Sequence, residues 1–153
     1  MSFWKKIKFY YLISNLKLIH KMLQKLFRPA EQKIELIEDQ FRRSLNTFID
    51  ICLVWGTEPI LMTQFNRVNL EDELFNKISL SMINKEEYVE SYVRLNDVIR
   101  EVSMSRNVDL IDLANLIPSS SYYMYDPVHL NENGSKLAAE ILTNYWIKKL
   151  ELK

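Results

Sequence analysis

The sequence predicts an α/β domain with parallel strands. Three observations carry the prediction: a long amphipathic helix that stops at a glycine, two short apolar runs that look like buried strands, and helical patterns between and after them. The order is helix, strand, helix, strand, loop, helix. It reads as the C-terminal part of an α/β domain, with a further helical segment at the N-terminus.

That first segment, residues 1–30, is dense in apolar residues spaced three and four apart and predicts one or two helices ending at Arg28–Pro29. It carries Lys5, Lys6, Lys8, Lys17, Lys21, Lys25 and Arg28 and no acid, a net +7, so the other 123 residues carry −7. Two readings of it stay open. Either it packs on the rest of the chain with its lysines solvated, or residues 1–28 make peripheral contact with a membrane surface. His20 reads as a partly exposed helix residue.

Residues 31–153 form the second part. Ile34, Ile37, Phe41, Leu45, Phe48, Cys52 and Trp55 keep a three/four spacing, which predicts a long helix buried along that stripe. Cys52 lies within it and reads as a small buried hydrophobe, not a nucleophile. Gly56 stands where a left-handed cap belongs, and "EPILMTQ", residues 58–64, follows as a buried strand. "LEDELFNK" predicts a short capped helix. Asn84 is an N-cap with Glu87 at the capping-box position, opening a helix over 85–105 with Tyr88, Tyr92, Leu95, Ile99 and Val102 as its stripe. Residues 108–112 predict the second strand, and "ANLIPSSSYYMY" an irregular stretch. Asn131 caps a last helix that Leu137, Ile141, Tyr145 and Leu150 continue to the end.

Composition excludes several function classes. Twenty basic and twenty acidic residues cancel, so no global field favours nucleic acid. One cysteine rules out an internal disulfide and fits a reducing compartment, the cytoplasm by default. There is no metal-type Cys/His cluster and no run of about 18 apolar residues. Asn15, Lys17 and His20 interrupt the apolar run that a signal peptide would need. Only Gly56 and Gly134 occur, where average usage would give roughly ten. No Gly-rich phosphate loop exists, and no cofactor is implied.

The chemistry gathers at "YDPVHLNENGSKLAAEIL", residues 125–142. A carboxylate on one ring nitrogen of a histidine fixes its tautomer and lets the other nitrogen act as a general base. Asp126 can reach His129 if the chain turns between them, and Pro127 favours a turn. Taken alone, Asp-x-x-His reads first as a surface histidine beside a capped helix.

This stretch resembles the last block of the SGNH/GDSL hydrolases, in which Asp-x-x-His precedes the final helix. "FRRSLNTFIDICLVWGTEPILMTQ" is similar to that family's long helix, glycine and strand ending in Thr and a polar residue. "YVRLNDVIREVSMSRNVDLIDLA" is similar to its Asn-x-x-Ile-Arg helix and the strand ending in Asp. The resemblance spans residues 41–146 and implies a three-layer α/β/α, flavodoxin-like fold. It also implies ester hydrolysis with His129 as general base and Asp126 orienting it. Asp112 and Thr63 would lie near the site at strand ends, with no catalytic role assigned.

The family's nucleophile, a serine in Gly-Asp-Ser, is missing from this sequence, as is the Gly-x-Asn-Asp oxyanion block. The expectation is that these blocks lie outside the sequence and that residues 1–30 correspond to a helical insertion. Ser119, Ser120 and Ser121 read as a loop, and Asn66, Asn69 and Asn131 are no better supported as oxyanion donors. The chain is therefore expected to be an ester hydrolase domain for lipid or carbohydrate esters that is inactive alone. The alternative is a non-catalytic remnant that binds a partner chain or a membrane surface through its basic N-terminal helix, residues 1–28. An apolar sheet edge should remain open, giving self-association or binding of a complementing N-terminal chain.

Overall fold

The structure is a computed structural model and describes residues 30–69, 71–77 and 84–151. The expected helices over residues 1–29, His20 and the membrane-contacting segment lie outside the described residues. The chain divides into two compact units, Met1–Leu36 and Ile37–Lys153, and of the first only the opening of one helix is described. Both described strands and the later helices belong to the second unit.

Helix α1 runs Ala30–Val54. It ends as the glycine predicts: Gly56 has φ +69°, its N–H donates to Leu53 O at 3.0 Å, and Thr57 N–H donates to Cys52 O at 2.9 Å. Those two bonds close a Schellman cap and turn the chain into β1, Ile60–Met62. Next comes α2, Glu73–Lys77, whose Phe75 N–H donates to the Asp72 carboxylate at 3.0 Å. Helix α3 spans Lys85–Arg106, and the Asn84 side chain accepts from Glu86 N–H at 2.9 Å. Its C-terminal cap carries no glycine. Asn107 takes the left-handed conformation at φ 51°, and Val108 N–H donates to Ser103 O at 3.1 Å. Asn serves where glycine is absent because its short polar side chain tolerates that region.

Strand β2, Asp109–Ile111, pairs parallel with β1, Leu61 opposite Leu110. Both strands are shorter than the apolar runs that predicted them. Part of the stretch read as irregular is helical: α4 covers Leu113–Leu116. Helix α5, Glu132–Glu151, completes the described chain. The fold is thus mixed helix and sheet with two parallel strands.

Strand alternation sends neighbouring residues into different apolar clusters. Leu61 and Leu110 join Ile49, Phe41 and Leu45 of α1 and Val98, Ile99 and Val102 of α3. Ile60 and Ile111 join Leu113, Ile117, Phe65 and the α5 residues Leu137, Ile141 and Tyr145.

Of the predicted α1 stripe, Ile34 is buried and Phe41 and Leu45 pack into the core, whereas other members lie outside it. Ile49 is fully buried, Cys52 half-buried, while Ile37, Phe48 and Trp55 are 50, 50 and 82 % exposed. The helix carries apolar residues on two sides, and Phe41, Leu45 and Ile49, stepping in fours, are the ones that share an apolar cluster with α3. Periodicity alone does not choose between two such stripes. Leu150, near the end of the last helix, is 68 % exposed.

Parallel pairing also sorts the backbone. Thr63 N–H donates to Ile111 O at 3.3 Å, so residues 61 and 63 point at β2 while 60, 62 and 64 point outward. At Gln64 that outward edge is closed by a side chain. Asn96 of α3, only 5 % exposed, accepts from Gln64 N–H at 2.8 Å and donates to Gln64 O at 2.9 Å.

Candidate active site

Helix α5 begins as the sequence predicts. Asn131 Oδ1 accepts from Gly134 N–H at 3.1 Å, and Asn131 O receives the first helical bond from Ser135 N–H at 2.9 Å. The Asn131 amide nitrogen donates to Tyr122 O at 2.9 Å and Ser121 O at 3.2 Å, tying the helix start to the loop before it. Gly134 makes this approach sterically feasible. A Cβ there would sit 2.1 Å from Tyr123 O and 2.8 Å from a Leu130 methyl carbon.

On that anchored base stands the Asp126–His129 turn. One carboxylate oxygen of Asp126 accepts from the backbone N–H groups of Val128 and His129, each at 2.8 Å. The other lies 2.8 Å from His129 Nδ1. The Val128 N–H, and after it the His129 ring, hold the Asp126 carboxyl below the usual carboxylate range. Tyr125 N–H donates to His129 O at 3.2 Å, and its ring lies parallel to the imidazole with centroids 5.7 Å apart. The sequence-predicted pair is therefore brought together. With Asp126 as acceptor, Nδ1 carries the proton and Nε2 is the basic nitrogen.

The imidazole stands in the open, its side chain 63 % exposed. Two surface clefts, of about 330 and 260 Å³, lie elsewhere and include neither Asp126 nor His129 in their linings. Among the described residues no serine, threonine or cysteine is hydrogen-bonded to the His129 ring. The asparagines weighed as oxyanion donors are all engaged locally. Asn66 Oδ1 accepts from Val68 N–H, Asn69 Oδ1 accepts from Glu71 N–H, and Asn131 caps α5.

Thr63 and Asp112, expected at strand ends, do meet there, in a network of their own. The Thr63 hydroxyl donates to Asp112 at 2.7 Å and accepts from Ala114 N–H at 2.9 Å. Arg100 grips both oxygens of Asp112 at 2.9 Å, and Asn115 adds a bond at 2.7 Å. Arg100 first, then the Thr63 hydroxyl, pull the Asp112 carboxyl down to about 2. This network ties both strand ends to α3, and its bonds do not run to Asp126 or His129.

The sequence alone assigns no role to Asn96, Arg100 or Arg67. Asn96 and Arg100 are the polar members of the Asn-x-x-Ile-Arg run, so their signal was present and only their partners were hidden. Arg67 had no signal. It belongs to the β1–α2 connection, yet its N–H donates to Pro127 O at 2.7 Å inside the Asp–His turn.

Compared with protein-family models, curated proteins and solved structures, the chain matches none. Among the described residues there is also no group of three or more His, Cys, Asp and Glu placed to hold a metal ion. No described helix is long and apolar enough to cross a membrane. What remains is a carboxylate-oriented imidazole, capable of taking a proton at Nε2 and returning it.

Proposed function

We propose that this chain supplies the acid–base half of an SGNH/GDSL-type ester hydrolase, with His129 as general base and Asp126 as its orienting carboxylate. One observation carries the reading: the 2.8 Å Nδ1–carboxylate contact made by a turn seated on the N-terminus of the last helix. The apolar clusters fed from alternate positions of β1 and β2, one with α1 and α3 and one with α5, support the three-layer arrangement that such an enzyme uses. The nucleophile and the oxyanion donors come from outside these 153 residues, so the substrate class stays at esters of lipid or carbohydrate type.

Alone, the polypeptide should be silent on p-nitrophenyl acetate, since losing a triad nucleophile removes about 10⁴ to 10⁶ in rate. Turnover beyond that of free imidazole, abolished by His129→Ala, would refute this part. The positive test is a chimera in which the Gly-Asp-Ser and Gly-x-Asn-Asp blocks of an SGNH hydrolase precede residue 31. Its turnover should vanish with His129→Ala. A chimera that melts cooperatively yet hydrolyses nothing counts against the whole reading.

A second reading, binding of a partner chain, is favoured by a specific feature of α1. Phe48, Ile51 and Trp55, spaced three and four apart, are 50, 55 and 82 % exposed. A chain that stays monomeric in light scattering at tens of micromolar would argue against it.

A further inference from the structure

We infer that Arg67 is the positioning residue of the Asp126–His129 pair. The turn from Met124 to Leu130 has little regular structure, only a single antiparallel bridge between its ends. Most of its hydrogen bonds are internal: Tyr125 N–H to His129 O, and the three that converge on Asp126. Apolar packing of Leu130 and Tyr123, with Met124 buried, holds its base, while Asp126, Pro127 and Val128 are half-buried and Tyr125 and His129 exposed. Among the described residues, the hydrogen bonds that reach this turn from a different part of the chain both come from Arg67. Its backbone N–H donates to Pro127 O at 2.7 Å, and its guanidinium donates to Met124 O at 3.4 Å.

Arg67 is itself fixed. Its Nε pairs with Asp72, the side chains of both being 14 % exposed, and the other Asp72 oxygen caps α2 at Phe75 N–H. An ion pair this shielded from water holds one geometry where an exposed pair would exchange many. The path therefore runs from α2 through Asp72 and Arg67 to the two carbonyls that flank Asp126. Moving Met124 O or Pro127 O displaces the carboxylate relative to the imidazole, because Asp126 sits between them.

The role concerns the pairing geometry and holds whether or not the ester-hydrolase reading does. The readout is the His129 tautomer, from long-range proton–nitrogen NMR of the imidazole in the full chain at a pH where it is neutral. Only one other histidine, His20, needs separating, and His129→Ala assigns the signals. Wild type should be mainly the Nδ1–H form, as Asp126 requires. Arg67→Met should shift it toward the free-imidazole mixture, as Asp126→Ala does, and Arg67→Lys should recover part of the wild-type pattern. If Arg67→Met keeps the wild-type tautomer in a folded chain, the inference is wrong. Should Arg67→Met lose its cooperative melt, Asp72→Asn is read instead, since asparagine preserves the α2 cap while releasing Arg67. An unchanged tautomer in that variant is equally fatal.

Discussion

Asn96 does for Gln64 what a neighbouring strand would do: its carboxamide accepts from the Gln64 N–H and donates to the Gln64 carbonyl, at 2.8 and 2.9 Å. An outward-pointing strand edge is thereby closed by a side chain from α3. Asn96→Ala removes both of these bonds, leaving the Gln64 N–H without its partner and the Gln64 carbonyl only the Asn66 side-chain amide at 3.4 Å, and the expected loss is about 1–3 kcal/mol in urea unfolding. The same variant should associate more readily through the opened edge. An Asn96→Ala chain as stable and as dispersed as wild type would deny the edge-closing role.

Asp112 gives the fold an acid limb. Its carboxyl titrates at about 2 against an ordinary 3.8, with Arg100 the principal cause. The folded value is the depressed one, so as pH falls the unfolded chain takes up the proton first. The stabilisation, about 2 kcal/mol, is complete above roughly pH 5, declines through the unfolded pKa, and is gone below the folded one. Melting of wild type and Asp112→Asn, followed between about pH 6 and 2.5, should show a gap that narrows with acid. A gap that stays constant across that range removes Asp112 from the acid limb.

The two glycines should respond differently to alanine. At Gly134 the added carbon meets a backbone carbonyl at 2.1 Å, so either α5 or the Tyr123 loop must move. A loss of about 2–3 kcal/mol is expected, with disturbed His129 resonances, because the Asp–His turn joins those two segments. Gly56 has open space around it and only its positive φ to defend, which makes Gly56→Ala cost about 1 kcal/mol. Equal losses for both, measured by chemical denaturation, would contradict the steric account.

Trp55 and Ile51 test the exposed side of α1. Replacing them by Ser and Lys removes apolar surface that is mostly in water already, 82 and 55 % exposed. Unfolding stability should stay within about 0.5 kcal/mol, while any self-association seen in sedimentation weakens. Ile49→Ala, on the buried side of the same helix, should instead lose about 2–5 kcal/mol. A reversed ranking would mean that α1 packs through its other stripe.

Much was legible in the chain alone because it rests on local physics. Gly56 and the asparagines at 84 and 131 mark helix ends by backbone strain and orphan N–H groups, and both strands announce themselves as short apolar runs. Asp126 and His129 are three residues apart with a proline between, so their pairing is nearly a local event as well. Other features depend on contacts between distant segments. Which of two apolar stripes of α1 is buried depends on where α3 lies, and Leu150 is exposed since the α5 contacts stop short of it. The partners of Asn96, Arg100 and Asp112 lie 32, 12 and 49 residues away, at Gln64, Asp112 and Thr63. Arg67 and Met124 are 57 apart. The local pattern therefore determined the longer helices, both strands, the caps at Gly56, Asn84 and Asn131 and the Asp–His turn, whereas tertiary packing decided which faces are buried and what holds that turn in place, because only closing the chain brings those partners within hydrogen-bond reach.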